Sequence, residues 1–179
     1  MNVVLLNGSP AVKSHTRGTL AYLEQIFNSQ GHEAKIIDLI NFGLPINNPV
    51  YHADAMQSEN EKVREFAQII KEADLVVLGT PLYHGSFSGL LKSALDNLDG
   101  PGFEGKKILL CSNSSGPRSA VQASQSLVIV ARTMGGLVHN GVIGTCKSDH
   151  TETENDYELT SEEIKSRAQK IVNEMTEVL

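Results

Sequence analysis

Short apolar runs alternate with helical patterns along most of the chain. The apolar runs cover residues 3–6, 34–39, 75–78, 108–111 and 137–143. They lack the polar alternation of a half-exposed strand, so they predict strands buried on both faces. The segments between them repeat apolar residues at helical spacing. This alternation predicts an α/β fold, a doubly wound parallel sheet of five strands in the order 2-1-3-4-5 with helices on both faces.

Three segments depart from this alternation. Residues 41–58 carry prolines, asparagines and a glycine, which predicts a long irregular connection of functional or interface-forming character. Residues 145–157 are polar and acidic, which predicts a loop or a flexible excursion. Thr160 and Glu163 have the spacing of a capping box, which predicts the start of the last helix. Since no repeat or low-complexity segment interrupts the pattern, residues 1–179 are predicted to form a single domain.

Composition narrows the class of protein. A formal net charge of −6 over 179 residues, without a block of basic residues, argues against nucleic-acid binding. The sequence contains neither a predicted membrane span nor a predicted signal peptide. Its two cysteines, Cys111 and Cys146, are too few for a disulfide framework. A cytoplasmic protein without a membrane partner is expected.

The stretch from Leu5 to Arg17 predicts an anion site. A buried strand passes through Gly8 and Pro10 into hydroxyl residues and then into a helix, whose N-terminus presents unpaired amides and a favourable dipole. The pattern matches neither the dinucleotide fingerprint nor the P-loop. A mononucleotide phosphate is the predicted guest, and a capped βα turn without a ligand is the alternative.

Unusual loops follow the first, third and fourth strands. They begin at Asn7, Thr80 and Ser112. In the order 2-1-3-4-5 these strands are neighbours, so their loops meet at the edge where doubly wound folds bind ligands. The later two loops are poor in charge and rich in small residues, which suits the border of a flat heterocycle. Together the loops predict a flavin mononucleotide pocket.

At these residues the sequence resembles the NADPH-dependent FMN reductase family, a flavodoxin-like group that includes azo-dye and quinone reductases. The resemblance is carried by Gly8-Ser9-Pro10 with Ser14, Thr16 and Arg17, and by the run from Thr80 to Asp96, TPLYHGSFSGLLKSALD. It extends over most of the chain in element order. Ala11 departs from the pattern, because relatives often carry a basic residue there.

The resemblance implies a set of cofactor-binding residues. It assigns the FMN phosphate to Ser9, Ser14, Thr16 and Arg17, to which we add His15, with a solvent-facing ring as its alternative. It places the isoalloxazine ring against Pro81, Leu82, Tyr83, His84 and Gly85. It matches Asn113, Ser114, Ser115 and Gly116 to the family's glycine-rich third loop.

The implied activity is an FMN-dependent NAD(P)H oxidoreductase. Hydride passes from NADPH or NADH to FMN, and electrons then pass to free flavin, a quinone or an azo compound. Because the cofactor carries this chemistry, we expect no catalytic side chain. We also expect no metal, since Asp96 and Asp99 lack a partner histidine. The family further implies a homodimer or homotetramer. An FMN electron carrier reduced by a separate protein is the alternative function.

Overall fold

The computed structural model describes residues 1–177. Its main sheet has five parallel strands, which are β1 (Asn2–Asn7), β2 (Glu33–Asp38), β3 (Leu75–Pro81), β4 (Lys107–Ser114) and β5 (Leu137–Cys146). The helices are α1 (His15–Ser29), α2 (Leu39–Phe42), α3 (Glu61–Glu72), α4 (Gly89–Leu95), α5 (Gln122–Thr133) and α6 (Glu162–Thr176). In this described part of the chain no helix is both long and apolar enough to cross a membrane.

The strand order β2-β1-β3-β4-β5 confirms the predicted fold class. Alternate residues of β1 enter different clusters, because side chains of a strand point to opposite faces. Val4 and Leu6 pack with the helices α3, α4 and α5, whereas Val3 and Leu5 pack with α1 and α6. All four side chains are fully buried. The continuous apolar runs of the sequence therefore reflect a sheet covered on both faces.

The last strand of the sheet, β5, is irregular where the sequence carries Asn140 and Gly141. Its pairing with β4 shifts between Ile108 and Leu110, so the interruption predicted there is confirmed. The strand nevertheless continues to Cys146, beyond the predicted end at residue 143.

The segment predicted as a loop or flexible excursion contains ordered elements, and that prediction is wrong. Residues Lys147–Asp149 form a 3-10 turn, and β6 (His150–Glu152) pairs antiparallel with β7 (Tyr157–Leu159). We call β6, β7 and their turn the hairpin. Each strand has only three residues, too few to show a periodic pattern in a polar sequence.

The predicted capping box at Thr160 and Glu163 is also wrong. The last helix begins after Ser161, whose side chain makes no capping hydrogen bond. The amides of Thr160 and Ser161 both donate to the carbonyl of Asp149, at 2.9 and 3.1 Å. A backbone acceptor from the 3-10 turn before β6 therefore takes these amides, and the helix starts one residue later than predicted.

The long connection between β2 and α3 is partly regular. It contains α2 and the single 3-10 turns Pro49–Tyr51 and Ala55–Gln57. Asp99 ties it to the end of the α4 region by accepting the amide of Ala55 at 2.5 Å. Its apolar side chains Ile46 and Val50 are exposed.

Candidate functional site

The predicted loops meet at the carboxyl edge of the sheet, because β1, β3 and β4 are neighbours there. A cavity of about 320 Å³ lies between these loops. A wider depression of about 580 Å³ lies around Met1 and Lys106, at the opposite ends of the strands. Ligands of doubly wound sheets bind at the carboxyl edge where the strand order reverses, so we place the candidate site at the loops.

Most residues predicted for the site line this cavity: Ser9, Ser14, His15, Thr16, Pro81, Leu82, Tyr83, Asn113, Ser114 and Ser115. The others, Arg17, His84, Gly85 and Gly116, lie outside the lining. Ala11, Lys13 and Lys147 line the cavity without having been predicted. Lys147 belongs to the segment in which no motif was found, so the sequence offered no signal for it.

Hydrogen bonds within the protein fold the first loop back on itself. Ser9 donates its amide to Asn7 Oδ1 and accepts the amide of Ala11 on its hydroxyl, at 3.2 and 3.3 Å. The amide of Gly8 donates to the carbonyl of Gly79 at 2.8 Å. Ser88, the N-cap of α4, donates its hydroxyl to the carbonyl of Gly8 at 2.6 Å. The loop is thus anchored to β3 and to α4.

The start of α1 leaves two backbone amides beside the cavity. Ser14 is the N-cap, and its hydroxyl accepts the amide of Arg17 at 3.2 Å. Its own amide donates to Asp156 Oδ1 at 2.6 Å. Among the described residues, the amides of His15 and Thr16 have no acceptor, as expected in the first turn of a helix. This is the donor arrangement that binds anions.

Arg17 is occupied by the protein itself. Its guanidinium donates to Asp156 Oδ2 at 2.5 Å, to Asp38 Oδ2 at 2.9 Å and to the carbonyl of Val12 at 2.5 Å. Burial opposes its charge, but Asp156 and then Asp38 outweigh that effect and raise the pKa of Arg17. The side chain joins the first loop, the end of β2 and the hairpin.

The hairpin packs against the start of α1. The ring of His15 stacks on Tyr157, with centroids 3.7 Å apart and planes inclined by 16°. Lys13 reaches Glu152 Oε1 at 2.8 Å and the carbonyl of Thr153 at 3.0 Å. The cations Lys13 and Arg17 are therefore both paired.

The surroundings of His15 favour the neutral form of its imidazole. Burial lowers its pKa from 6.5, and the charges of His150 and Lys147 lower it further. The His150 ring lies edge-on, 5.1 Å away between centroids. Within the described chain the buried His15 Nε2 has no hydrogen-bond partner. Buried polar groups normally have one, so His15 Nε2 is an exception within the described chain.

The second loop turns sharply after β3. Tyr83 and Ser86 exchange backbone hydrogen bonds of 2.9 and 3.0 Å across His84 and Gly85. Both central residues have positive φ, 50° and 81°, as a type I′ turn requires. The turn explains why His84 and Gly85 extend past the cavity, while Tyr83 borders it with 44% of its surface exposed.

The strand β4 continues to Ser114, so the predicted start of the third loop at Ser112 is wrong, and Asn113 joins the second loop from the end of this strand. The amide of Leu82 donates to the carbonyl of Asn113 at 2.7 Å. Asn113 in turn donates its side-chain amide to Thr145 Oγ1 at 3.0 Å. Ser114 donates its hydroxyl to the carbonyl of Gly116 at 2.6 Å, which uses that proton within the loop. Asn113, Ser114 and Ser115 line the cavity together with residues of the first loop.

A doubly wound sheet in this strand order, with a helix N-terminus at its switch point, is the flavodoxin-like fold. Comparison with solved structures agrees with that fold. An apo NADH:FMN oxidoreductase aligns with a TM-score of 0.74 at 22% identity, covering 97% of this chain and 87% of that one. The flavoenzyme NAD(P)H:(acceptor) oxidoreductase of Paracoccus denitrificans aligns with a TM-score of 0.74 at 19% identity, covering 97% and 93%.

Sequence comparison identifies the family. The model of the NADPH-dependent FMN reductase family matches residues 1–150. An FMN-dependent NADPH-azoreductase of Staphylococcus aureus is 33% identical over 178 residues, covering 98% of this chain and 93% of that protein. This chain belongs to the NADPH-dependent FMN reductase family. It is accordingly an oxidoreductase that uses FMN and a reduced nicotinamide, which confirms the predicted class of activity and cofactors.

Proposed function

We propose that the three loops bind FMN with its phosphate at the first loop and its ring between the second and third. The observation that carries this proposal is the pair of unpartnered backbone amides at His15 and Thr16, two residues that line the cavity. Amides at a helix N-terminus suit a phosphate because they combine hydrogen-bond donors with a positive dipole end. The donor set therefore fits the cofactor that the family uses.

The groups proposed for the phosphate have three roles: hydrogen-bond donor, counter-charge and support of the loop. The amides of His15 and Thr16 and the hydroxyl of Thr16 are the proposed donors. Lys147 is the proposed counter-charge, because it borders the cavity and, in the described structure, forms no ion pair. Arg17 supports the phosphate by holding the loop, since its donors already bind Asp38, Asp156 and Val12.

The ring side of the cavity is less polar. Pro81, Leu82 and Tyr83 offer it an apolar border, and Asn113 and Ser115 offer polar groups on the other side. Bound FMN would supply the hydride acceptor for NADPH and the source of electrons for the second substrate. The side chains need only bind and orient the ring and leave one face accessible. We assign none of them a proton-transfer role.

The proposed acceptors are azo compounds, quinones or free flavin. The azoreductase relative, similar over nearly its whole length, supports the azo class. A small-molecule acceptor suits a cavity whose Tyr83 border is open to solvent. Assembly as a homodimer or homotetramer, a cytoplasmic location and a single domain remain predictions from the sequence.

Anaerobic stopped-flow mixing tests this function. Purified protein loaded with FMN is mixed with NADPH, and the flavin absorbance is followed; we expect rapid bleaching without any other protein. Reoxidation by a quinone or an azo dye, each added separately, then assigns the acceptor. A flavin that binds but stays oxidised with both NADPH and NADH would contradict the reductase and favour the electron carrier. Absence of flavin binding would overturn the cavity assignment itself.

A further inference from the structure

Asp156 lies in the turn of the hairpin, more than a hundred residues from the first loop in the chain, yet it contacts that loop twice. Oδ1 accepts the amide of Ser14 at 2.6 Å, and Oδ2 accepts Nε of Arg17 at 2.5 Å. Hydrogen bonds to an ionised group are short and strong relative to neutral ones. One carboxylate thus fixes both the N-cap residue of α1 and the arginine that follows it.

The turn that presents Asp156 is itself well defined. The amide of Thr153 donates to the carbonyl of Asp156 at 2.7 Å, and the amide of Asp156 donates to Thr153 Oγ1 at 3.1 Å. A second attachment lies one helical turn into α1, where a Cβ on Gly18 would lie only 2.3 Å from the carbonyl oxygen of Tyr157. The hairpin is therefore seated directly on the first turns of the helix.

Asp156 and the Ser14 hydroxyl occupy the amides on either side of the two candidate donors. The carboxylate of Asp156 accepts a hydrogen bond from the amide of Ser14, and the Ser14 hydroxyl accepts one from the amide of Arg17. The two amides between them, those of His15 and Thr16, are the ones left without an acceptor in the described structure. A pair of fixed donors binds an anion better than a mobile loop does, because less conformational freedom is lost on binding.

The negative charge of Asp156 is unexpected beside a proposed phosphate site. A carboxylate at a helix N-terminus competes with a bound anion for the same dipole and donors. Arg17 compensates that charge at contact distance, and Asp38 shares the same guanidinium. A carboxylate whose only effect was electrostatic would weaken a phosphate site, so its value there must lie in geometry.

We propose that Asp156 is a positioning residue for the FMN phosphate: it holds the start of α1 so that the amides of His15 and Thr16 converge on the phosphate. The proposal rests on the proposed function, because it assumes that FMN is the occupant. It assigns a role to the hairpin, a segment that carries none of the motifs of the family resemblance.

The test compares FMN with riboflavin, which has the same ring but no phosphate. Dissociation constants of both flavins are measured by fluorescence quenching for the wild type and for Asp156→Ala. We expect FMN binding to weaken about tenfold or more, because a charge-assisted hydrogen bond at the loop is lost, while riboflavin binding is unchanged. The ³¹P resonance of bound FMN should shift as well.

Two further variants keep the result interpretable. Asp156→Asn retains an acceptor for the Ser14 amide but not the charge that pairs with Arg17, so it should recover part of the FMN affinity. Glu163→Ala removes an exposed pair with Arg167 on α6 and should change neither constant. If Asp156→Ala does not fold, the FMN-to-riboflavin affinity ratio of Asp156→Asn decides in its place.

An FMN affinity equal to that of the wild type would overturn the proposal, even if thermal stability fell, because the residue would then be merely structural. Equal losses for FMN and riboflavin would overturn it too, since the effect would not be confined to the phosphate. Failure of the proposed function is distinguishable, because the wild type would then bind neither flavin or would not be bleached by NADPH.

Discussion

The two ends of the candidate site are held by different kinds of bond. At the end proposed for the phosphate, side chains from the hairpin contact the start of α1 and the loop before it, with Asp156 on Ser14 and Arg17 and Glu152 on Lys13. At the end proposed for the ring, the amide of Leu82 in the second loop donates to the carbonyl of Asn113 at the end of β4. The phosphate end is thus held by contacts from the hairpin, whereas the ring end is held by the sheet and by the turn of the second loop.

This difference matches what each end has to do. A phosphate is the same in every turnover, so donors fixed in advance favour tight binding. The ring end must admit a nicotinamide and then a second substrate of different shape, and its Tyr83 is 44% exposed. We infer that the contacts at the phosphate end mainly determine the affinity for FMN, whereas the ring end determines the access of substrates to the flavin.

The largest effect is expected from a substitution that displaces the whole hairpin from α1. Gly18→Ala would place a Cβ 2.3 Å from the Tyr157 carbonyl, so the hairpin must shift away from α1. We expect the free energy of unfolding in urea to fall by about 1–3 kcal/mol, with weaker FMN binding. Gly89→Ala is the matched control, because nothing lies within 4 Å of its Cβ. Unchanged stability and FMN affinity in Gly18→Ala would contradict the described packing.

Variants of Arg17 distinguish an indirect role, in which the side chain holds the first loop, from direct contact with the phosphate. Arg17→Ala should weaken FMN binding about tenfold and leave riboflavin binding unchanged, because the link between the first loop, Asp38 and Asp156 is lost. Arg17→Lys keeps the charge but not the forked geometry, so it should not restore the affinity. Full recovery in the lysine variant, measured by the same titration, would instead indicate direct contact between the charge and the phosphate.

Lys147 should have a smaller effect, because its side chain is exposed to solvent. Lys147→Met is expected to weaken FMN binding about two- to fivefold and to reduce its dependence on salt concentration. Lys170→Met, at an exposed position on α6, serves as the control. Titrations at low and high salt that show the same FMN affinity for the Lys147 variant and the wild type would remove this lysine from the site.

The smallest expected change in affinity is at the ring end. Tyr83→Ala should weaken FMN binding only about twofold, because the ring is half-exposed, but it should alter the absorbance spectrum of bound flavin. Tyr51→Ala, in the connection before α3, should leave that spectrum unchanged. An identical spectrum in the Tyr83 variant would mean that the tyrosine does not stack on the flavin.

The fold and the ring loops could be predicted because their signals are local. A run such as residues 75–78, apolar throughout and followed by Gly79 and Thr80, identifies a buried strand and its end without knowledge of its neighbours. The strand order then brings the loops together. The sequence predicted a capped turn that leads into α1 without naming the capping residue, and the structure shows that this residue is Ser14.

The contacts between the hairpin and the start of α1 could not be predicted. They join residues that are far apart in the chain, and the hairpin lies in a polar segment without a periodic pattern. Asp156 is one acidic residue among several between Asp149 and Glu158, and only its position in the folded hairpin distinguishes it. The same lack of local signal explains Lys147. It also explains the wrong capping box at Thr160, where a distant carbonyl, that of Asp149, receives the amides.

A crystal structure of the protein with FMN tests the central claim most directly. The account predicts phosphate oxygens within about 3 Å of the backbone nitrogens of His15 and Thr16, with Arg17 still bound to Asp156. A phosphate bound instead by an Arg17 released from Asp156, with the His15 and Thr16 amides unused, would contradict the account.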